Sequence, residues 1–370
     1  MQIEIYNMMP VGENISISLE AVCDSFSSLL WDIEYYKCGA FEVYIAASPR
    51  NIEIFQTGRI VGRDDDKEHF GLIESVELET DAEDGDYLII KGRFLMCLLE
   101  RRIIYPTFNF TKLVSYSQIA MNVVQHNACT SGIRKIPGLV VGCSSGTCWD
   151  AKTKLQVSYD NLMEWVYTIC EKIGGTANIR LSKIDNEQYE MIFELSQGTD
   201  RSILQEINPH IIFSDRYNNL LSFTYFTDTS VKKNYAYVLG KGEGEKRKRT
   251  TYFEDSEPSS LDRYEVYVDA KEISDEEQVD NETKPLSEEE YAELLKEKGK
   301  QNIVPITMKS ESQIAVQSTQ FQYGVDYFVG DFVTVEHHRF GIRQNKIQLV
   351  GMIESFDRNG RNLTPTFKEE

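Results

Sequence analysis

Basic charge is what this sequence has too little of. Its 370 residues include 39 Lys and Arg against 59 Asp and Glu, a formal net charge of −20. A surface this acidic disfavours a nucleic-acid clamp or an anionic membrane as the main partner, because each phosphate contact meets long-range repulsion. It suits a solvated acidic surface, or one past which DNA slides without sticking. Long apolar runs are also missing, and none approaches membrane-spanning length. Met1 to Met9 reads as a short amphipathic strand containing Glu4, with no signal peptide visible. A soluble chain with no membrane insertion is expected.

The residues that carry chemistry are few and scattered. Seven cysteines stand at Cys23, Cys38, Cys97, Cys129, Cys143, Cys148 and Cys170, an odd number lying mostly within apolar runs. That pattern reads as reduced thiols made in a cytosol. Cys143 and Cys148 share the stretch Gly142–Cys148, but no second ligand pair follows at zinc-site spacing, so a loop holding two thiols is the simpler reading. The five histidines are His69, His126, His210, His337 and His338. Adjacent His337 and His338 point to opposite faces of a strand and do not jointly hold one metal. His126 with Cys129 or Cys143 is the one conceivable thiol pair, yet nothing fixes a third partner, and Cys129 falls in a polar Asn-Ala-Cys-Thr turn. The lysine- and glycine-rich stretch Gly240–Arg249 invites a phosphate-loop reading. It lacks the Lys-Ser/Thr that opens a helix, and its alternating glutamates repel phosphate. No catalytic, cofactor-binding or metal residue is assigned, no cofactor is expected, and the chain is expected not to be an enzyme.

What the sequence does hold is short alternating runs rich in Tyr, Phe, Val, Ile and Thr, which favour strands over helices. The length suggests two or three domains. Trp31, Ile33 and Tyr35 alternate with Asp32, Glu34 and Tyr36, and Phe41, Val43 and Ile45 resume the alternation after Gly39. This predicts a hairpin covering a barrel or sandwich core, with Gly39 supplying a bend. Gln2–Tyr6, Ser16–Leu19, Gly71–Leu78 and Tyr87–Phe94 add strands, and within Gly58–Asp65 a strand ends in a charged turn, at spacings that suit a small antiparallel barrel. Leu95–Arg102 reads as a short helix.

From Thr107 the character changes. Ser115–Asn127 and Ser158–Glu171 predict helices, the second capped by Ser158 and stopped at Gly174-Gly175. Asn178–Ile184 and Gln188–Leu195 predict a hairpin turning at Asp185-Asn186. Two helices and a hairpin make an α+β unit. Strands return at Leu220–Tyr225 and Asn234–Leu239. Glu254–Glu282 is acidic and turn-rich, and Ser287 opens a helix over Glu289–Glu297, terminated near Gly299. Further strands follow at Ile303–Gln317, Phe328–Val335 and Lys346–Ile353. Phe367–Glu370 is expected to be loose.

Several features occur together in order. They are Trp31…Tyr35…Gly39…Phe41, Gly58…Ile60…Arg63-Asp64-Asp65, Gly71…Ile73-Glu74, and Lys91-Gly92-Arg93…Leu98-Leu99…Arg101-Arg102. Downstream stand Tyr235…Val238…Gly240…Gly242-Glu243-Gly244 and Gly324-Val325-Asp326-Tyr327…Gly330-Asp331…Val333…Val335. The arrangement resembles the siphovirus tail-hub family, the tail-associated or baseplate hub proteins of phages and prophages, over roughly residues 1–360. Gly132–Cys148 carries no marker of that family.

The resemblance implies a mainly β fold: two barrel-like tube domains with an α+β domain between them in sequence. Residues 1–112 would be the first tube domain and 113–215 the α+β domain. Residues 216–365 would be the second tube domain, with an acidic helical insertion at about 254–300. The implied function is structural: a homotrimeric hub ring joining the tail tube to the tip, with a central channel for tape measure and DNA. Its partners would be distal-tail, tail-tube, tape-measure and tail fibre or tip proteins, with DNA only as passing cargo. Its place would be the virion tail, assembled in the bacterial host cytoplasm. The alternative is a tail-tip protein with host-surface binding or cell-wall hydrolase activity. On the hub reading the aromatic hairpin would have a backbone role too, offering a strand edge of the first tube domain to the next subunit.

Overall fold

The computed structural model describes all residues except 82–84, 131, 186–187, 280–281, 305–306, 315–319 and 369–370. It is mostly β, with 49% strand against 19% helix, as the alternating runs require. The first seven strands form a continuous antiparallel ladder in the order Asn14–Cys23, Ile3–Val11, Ile60–Arg63, Asp66–Asp81, Gly85–Phe94, Ala40–Ala46, Ser28–Glu34. Leu29, Trp31 and Ile33 face inward from the last of these and meet Phe41, Val43, Ile45, Ile90 and Phe94 in one core. Trp31 lies opposite Phe41, and its ring centroid is 4.9 Å from that of Phe94. Gly39 is needed for space. A Cβ there would sit 2.4 Å from the Asp32 carbonyl oxygen and 2.6 Å from the Phe94 ring.

The hairpin edge is not left open. Ser28–Glu34 pairs on its far side with the 16-residue strand Ile342–Asp357, from Gly351 opposite Glu34 to Phe356 opposite Leu29. The edge expected for a neighbouring subunit is therefore occupied within the same chain. Beyond it the ladder continues through Gly360–Lys368, Thr307–Ile314 and Leu220–Asp228, while Phe332–His337 pairs with the first part of Ile342–Asp357 and carries Ile212–Ser214 in parallel. Phe213, Tyr327, Val333, Val335, Leu349, Leu363 and Phe367 fill the core of this second region. Phe367 is fully buried and its strand runs to Lys368, so this part of the stretch expected to be loose is packed instead, and Glu369 and Glu370 lie outside the described residues. Among the described residues no closed barrel is found: the ladder runs open from Thr176–Asp185 to Leu220–Asp228, because Ser28–Glu34 spends its free side on the second region.

The helices of the middle stretch, Tyr116–Val124 and Leu162–Ile173, lie where the periodicity places them. Ser115 caps the first through the Gln118 N–H. Asn161, not Ser158, caps the second by accepting from Met163 and Glu164 N–H, and Gly174 ends it at φ 72°. These helices pack with the hairpin Thr176–Asp185/Gln188–Ser196 into a core that also takes Ile15, Ile17, Leu72 and Leu95–Leu99 from the first region. The turn expected at Asp185-Asn186 falls partly outside the described residues.

Between Leu220–Asp228 and its partner Thr307–Ile314 the chain leaves to build a separate lobe. Backbone bonds in both directions between Lys233 and Val304 form its neck. A small sheet of Arg249–Tyr252, Tyr235–Leu239 and Glu265–Asp269 packs under the helix Glu288–Gln301. Ala236, Val238, Val268, Ile273, Tyr291, Leu294 and Leu295 make its core. Ser287 and Glu290 form a capping box at the helix start. Gly299 does not stop the helix. It lies inside it, where a Cβ would come within 2.8 Å of both Val238 and Tyr252.

Candidate functional site at the junction of the two β regions

The side chains with the most demanding environments cluster where Ser28–Glu34 meets Ile342–Asp357. Alternation along the longer strand turns Glu354 inward and leaves Ile353 outward, against their polarity. Glu354 lies opposite Trp31 in register. Arg63, at the end of Ile60–Arg63, reaches the same face, and its Nη1 stands 3.0 Å from Glu354 Oε1 with only 2% and 3% of the two side chains exposed. Asp65 accepts from Arg63 Nε at 2.8 Å and from Nη2 at 3.0 Å. The guanidinium lies 4.8 Å from the Phe356 ring centroid and 5.5 Å from that of Trp31. Arg361 completes the group by donating to Glu354. Burial works against the Arg63 charge, but Asp65 and Glu354 more than offset it and hold the guanidinium's pKa above its ordinary value.

Asp66 extends the group on the other side of Trp31. Its carboxylate accepts from Trp31 Nε1 at 2.9 Å and stands 2.9 Å from His69 Nδ1. Burial alone would raise its pKa. The His69 contact, the Glu68 N–H and the Trp31 indole reverse that and hold the carboxyl well below the usual range. Every buried charge here is thus paired or hydrogen-bonded, which describes a clamp between the two β regions rather than a reactive centre.

A second junction explains the Gly330-Asp331 motif. Gly330 takes φ 102°, and a Cβ on it would lie 2.2 Å from the Tyr35 ring. A Cβ on Gly198, from the middle stretch, would meet the Gly330 carbonyl oxygen at 1.8 Å. Tyr35 Oη accepts from the Gly198 N–H and donates to the Gly174 carbonyl. Asp331 accepts from Thr199 N–H at 2.7 Å, Arg201 Nε at 2.9 Å and Phe328 N–H at 3.1 Å. Gly198 and Gly330 therefore touch backbone to backbone, which only glycine permits, and the Tyr35 side chain packs against both.

The residues weighed for catalysis are not brought together in this way. Cys129 is buried in the turn after the first long helix, and burial pushes its thiol up to about 12, away from the thiolate a nucleophile needs. His126 packs its ring edge against Phe108. Cys143 is exposed, and Glu194 is its hydrogen-bond acceptor at 3.9 Å. His337 Nδ1 lies 3.4 Å from Asp215, while His338 sits beside Arg216. In the glycine loop, Arg247 donates to the carbonyls of Leu239 and Gly240 and so closes the turn on itself. Among the described residues, no group of three or more His, Cys, Asp or Glu is placed to hold a metal ion, and no helix is long and apolar enough to cross a membrane.

Sequence reasoning missed Arg63 and Glu354 as a pair, treating the first as part of a charged turn. The available signal was an acidic residue on the apolar phase of a long strand.

Solved structures share this fold along its whole length at low identity. A tail protein from Neisseria meningitidis MC58 superposes with a TM-score of 0.58 at 13% identity, covering 100% of this chain and 97% of its own. The prophage MuSo2 43 kDa tail protein from Shewanella oneidensis gives 0.56 at 13% identity, with 98% of both chains covered. Prophage tail protein gp18 from Listeria monocytogenes EGD-e gives 0.55 at 11% identity, covering 100% of this chain and 95% of its own. No curated protein sequence matches. A family model does, across residues 3–367, and it agrees with the resemblance drawn from the ordered motifs: the chain belongs to the Siphovirus ReqiPepy6 Gp37-like protein family.

Proposed function

We propose that this chain is a structural component of a phage or prophage tail, a hub subunit that assembles as a homotrimer and joins the tail tube to the tip. Residues 1–112 and 216–365 act as its two barrel-like tube domains, and residues 113–215 lie outside the ring. Two tube domains per chain give six wall segments per trimer, so a three-fold ring can meet a six-fold tube. Distal-tail and tail-tube proteins lie on one side, tip or fibre proteins on the other, and tape measure and DNA pass through the centre. The ring is assembled in the host cytoplasm and works in the virion tail, with no catalytic step of its own.

The observation that carries this reading is the registered seam between Ser28–Glu34 and Ile342–Asp357. It makes the two β regions one continuous sheet, as two adjacent segments of a ring wall must be. The buried Arg63–Glu354 pair fixes their relative position at that seam. The net charge of −20 supports a channel wall that repels DNA. Light scattering after size exclusion and electron microscopy test the reading. A three-fold ring, alone or with tail partners, is the expected result. Strict monomers that join neither tail-tube nor distal-tail rings would sink it, and a neutral or basic channel would remove the charge argument.

A further inference from the structure

Positive charge is scarce in this protein, so a place where it gathers without an ion pair among the described residues calls for explanation. Arg101, Arg102 and Arg134 frame one open groove of about 380 Å³ together with Ile103, Tyr105 and Ile133. None of the three arginines has an ion pair among the described residues. Arg102 Nε instead donates to the Arg134 carbonyl at 2.7 Å, and Arg134 donates to the carbonyls of Tyr105 and Ile103. Arg134 also lies over the Tyr105 ring, 5.9 Å from its centroid. The guanidinium planes of Arg102 and Arg134 are thus held in place with N–H groups to spare, which lowers the entropy cost of receiving a carboxylate. Burial pulls Arg102 below its ordinary pKa, and the like charges of Arg134 and Arg101 add to the shift. Ile103, Tyr105, Ile133 and nearby Tyr159 are all exposed. Arginine and tyrosine beside aliphatic surface is the composition of a protein-binding patch.

The same chain carries a segment of the opposite character. In the lobe, Glu254 and Asp255 are exposed and have no ion pair among the described residues, whereas nearby Glu257 and Asp262 are neutralised by Arg263 and Lys232. Leu261 projects from the same loop with 94% of its surface open. Two free carboxylates and one protruding aliphatic side chain complement an arginine groove with an apolar rim. Within one chain this loop does not line the groove.

We propose that the Arg101/Arg102/Arg134 groove receives the Glu254–Leu261 loop of a second copy of this chain. Such a contact joins two different surfaces, so it runs head to tail and closes into a ring when the rotation allows. The inference rests on the reading that copies of this chain assemble with one another.

The test uses the full chain in two charge-reversed forms, Arg101→Glu/Arg134→Glu and Glu254→Lys/Asp255→Lys, together with a fluorescent peptide of residues 253–263. Sedimentation velocity reads self-association, and fluorescence anisotropy reads peptide binding. Each reversed form is expected to weaken self-association by about tenfold or more, and mixing the two forms is expected to restore it. The peptide is expected to bind the wild type but not Arg101→Glu/Arg134→Glu, and Leu261→Ser in the peptide is expected to weaken it. Assembly unchanged by either reversal overturns the docking while leaving the ring reading standing. A chain that stays monomeric yet binds the peptide through its arginines keeps the docking and loses unaided self-assembly. A monomeric chain that ignores the peptide loses both. Binding that Leu261→Ser leaves intact and inorganic phosphate abolishes would show general anion attraction and overturn the proposal.

Discussion

Two attachments within this molecule are built on opposite physical principles. The seam between Ser28–Glu34 and Ile342–Asp357 is a backbone ladder with aromatic packing and a nearly inaccessible ion-pair group behind it. The lobe between residues 233 and 304 leaves, among the described residues, through a single pair of backbone bonds. It rests on the middle stretch through Lys172 and Glu297, which border a cavity of about 110 Å³. A ladder in fixed register cannot slide without turning every side chain to the wrong face. A polar contact beside a small cavity can part and be replaced by water. The first attachment therefore behaves as part of one folded body, and the second as the docking of a small body with its own core.

Removing Trp31 should have the largest effect on that contrast. The ring is fully buried, packs on Phe41 and Phe94, and donates to Asp66. Trp31→Ala should cost about 3–5 kcal/mol, read as a lower urea midpoint for the whole body. A loss confined to the lobe would contradict the contrast. Glu354→Gln comes next. It leaves Arg63 buried with only Asp65 as its charged partner, so the expected cost is about 3 kcal/mol, the low end for breaking a buried pair. The seam should loosen with it, seen as faster amide exchange over both Leu29–Ile33 and Met352–Phe356. Exchange that rises on one strand alone would mean the pair does not hold the two regions together.

Much of this was legible in the sequence, and what was not has a common cause. The alternation of Trp31 and Ile33, the helix opening at Ser115 and the Ser287 capping box are local signals, and each is found where local reasoning places it. The pairing of Glu34 with Gly351 joins segments more than three hundred residues apart, and no periodicity within either strand encodes its partner. Nor does composition announce that Glu354 faces inward, because its burial depends on Arg63 arriving from a third strand. Phe367 was expected to be loose from its position near the chain end, yet its neighbours Phe213 and Leu363 draw it into the core. The close-packed Gly330 and Gly198 were visible only as family markers or as ordinary loop glycines. Their reason is the contact each makes with another part of the chain.

Acid should strain the packing around Trp31. Asp66 has a folded pKa held below its unfolded value, so its contribution is complete above the usual carboxylate range, near pH 4, and fades as pH falls through the depressed value. Urea midpoints measured from pH 5 to pH 2.5 should decline in the wild type and decline less steeply in Asp66→Asn. Parallel slopes in the two proteins would remove Asp66 from the account.

The smallest effect belongs to the polar attachment and carries the opposite sign. Burial, aided by the nearby charge of Lys300, pulls the Lys172 ammonium down to about 8, even with Glu297 against it. A lysine whose folded pKa lies below its unfolded value opposes folding while it is charged. Between about pH 8 and the ordinary lysine value near pH 10.4, the unfolded chain binds the proton that the folded one releases, so stability at this contact rises with pH. Lys172→Met keeps the aliphatic stem and removes the titration. It should flatten that alkaline rise and change stability at pH 7 by no more than about 1 kcal/mol, since both partners of the pair still reach solvent. Amide exchange on the helix Glu288–Gln301 is the direct readout. In the wild type it should slow, relative to the intrinsic rate, as pH rises from 7.5 to 9.5, while the protection of Ser28–Glu34 stays flat. A shift of equal size in both segments would mean that the lobe and the seam share one unfolding unit, and the distinction between them would fail.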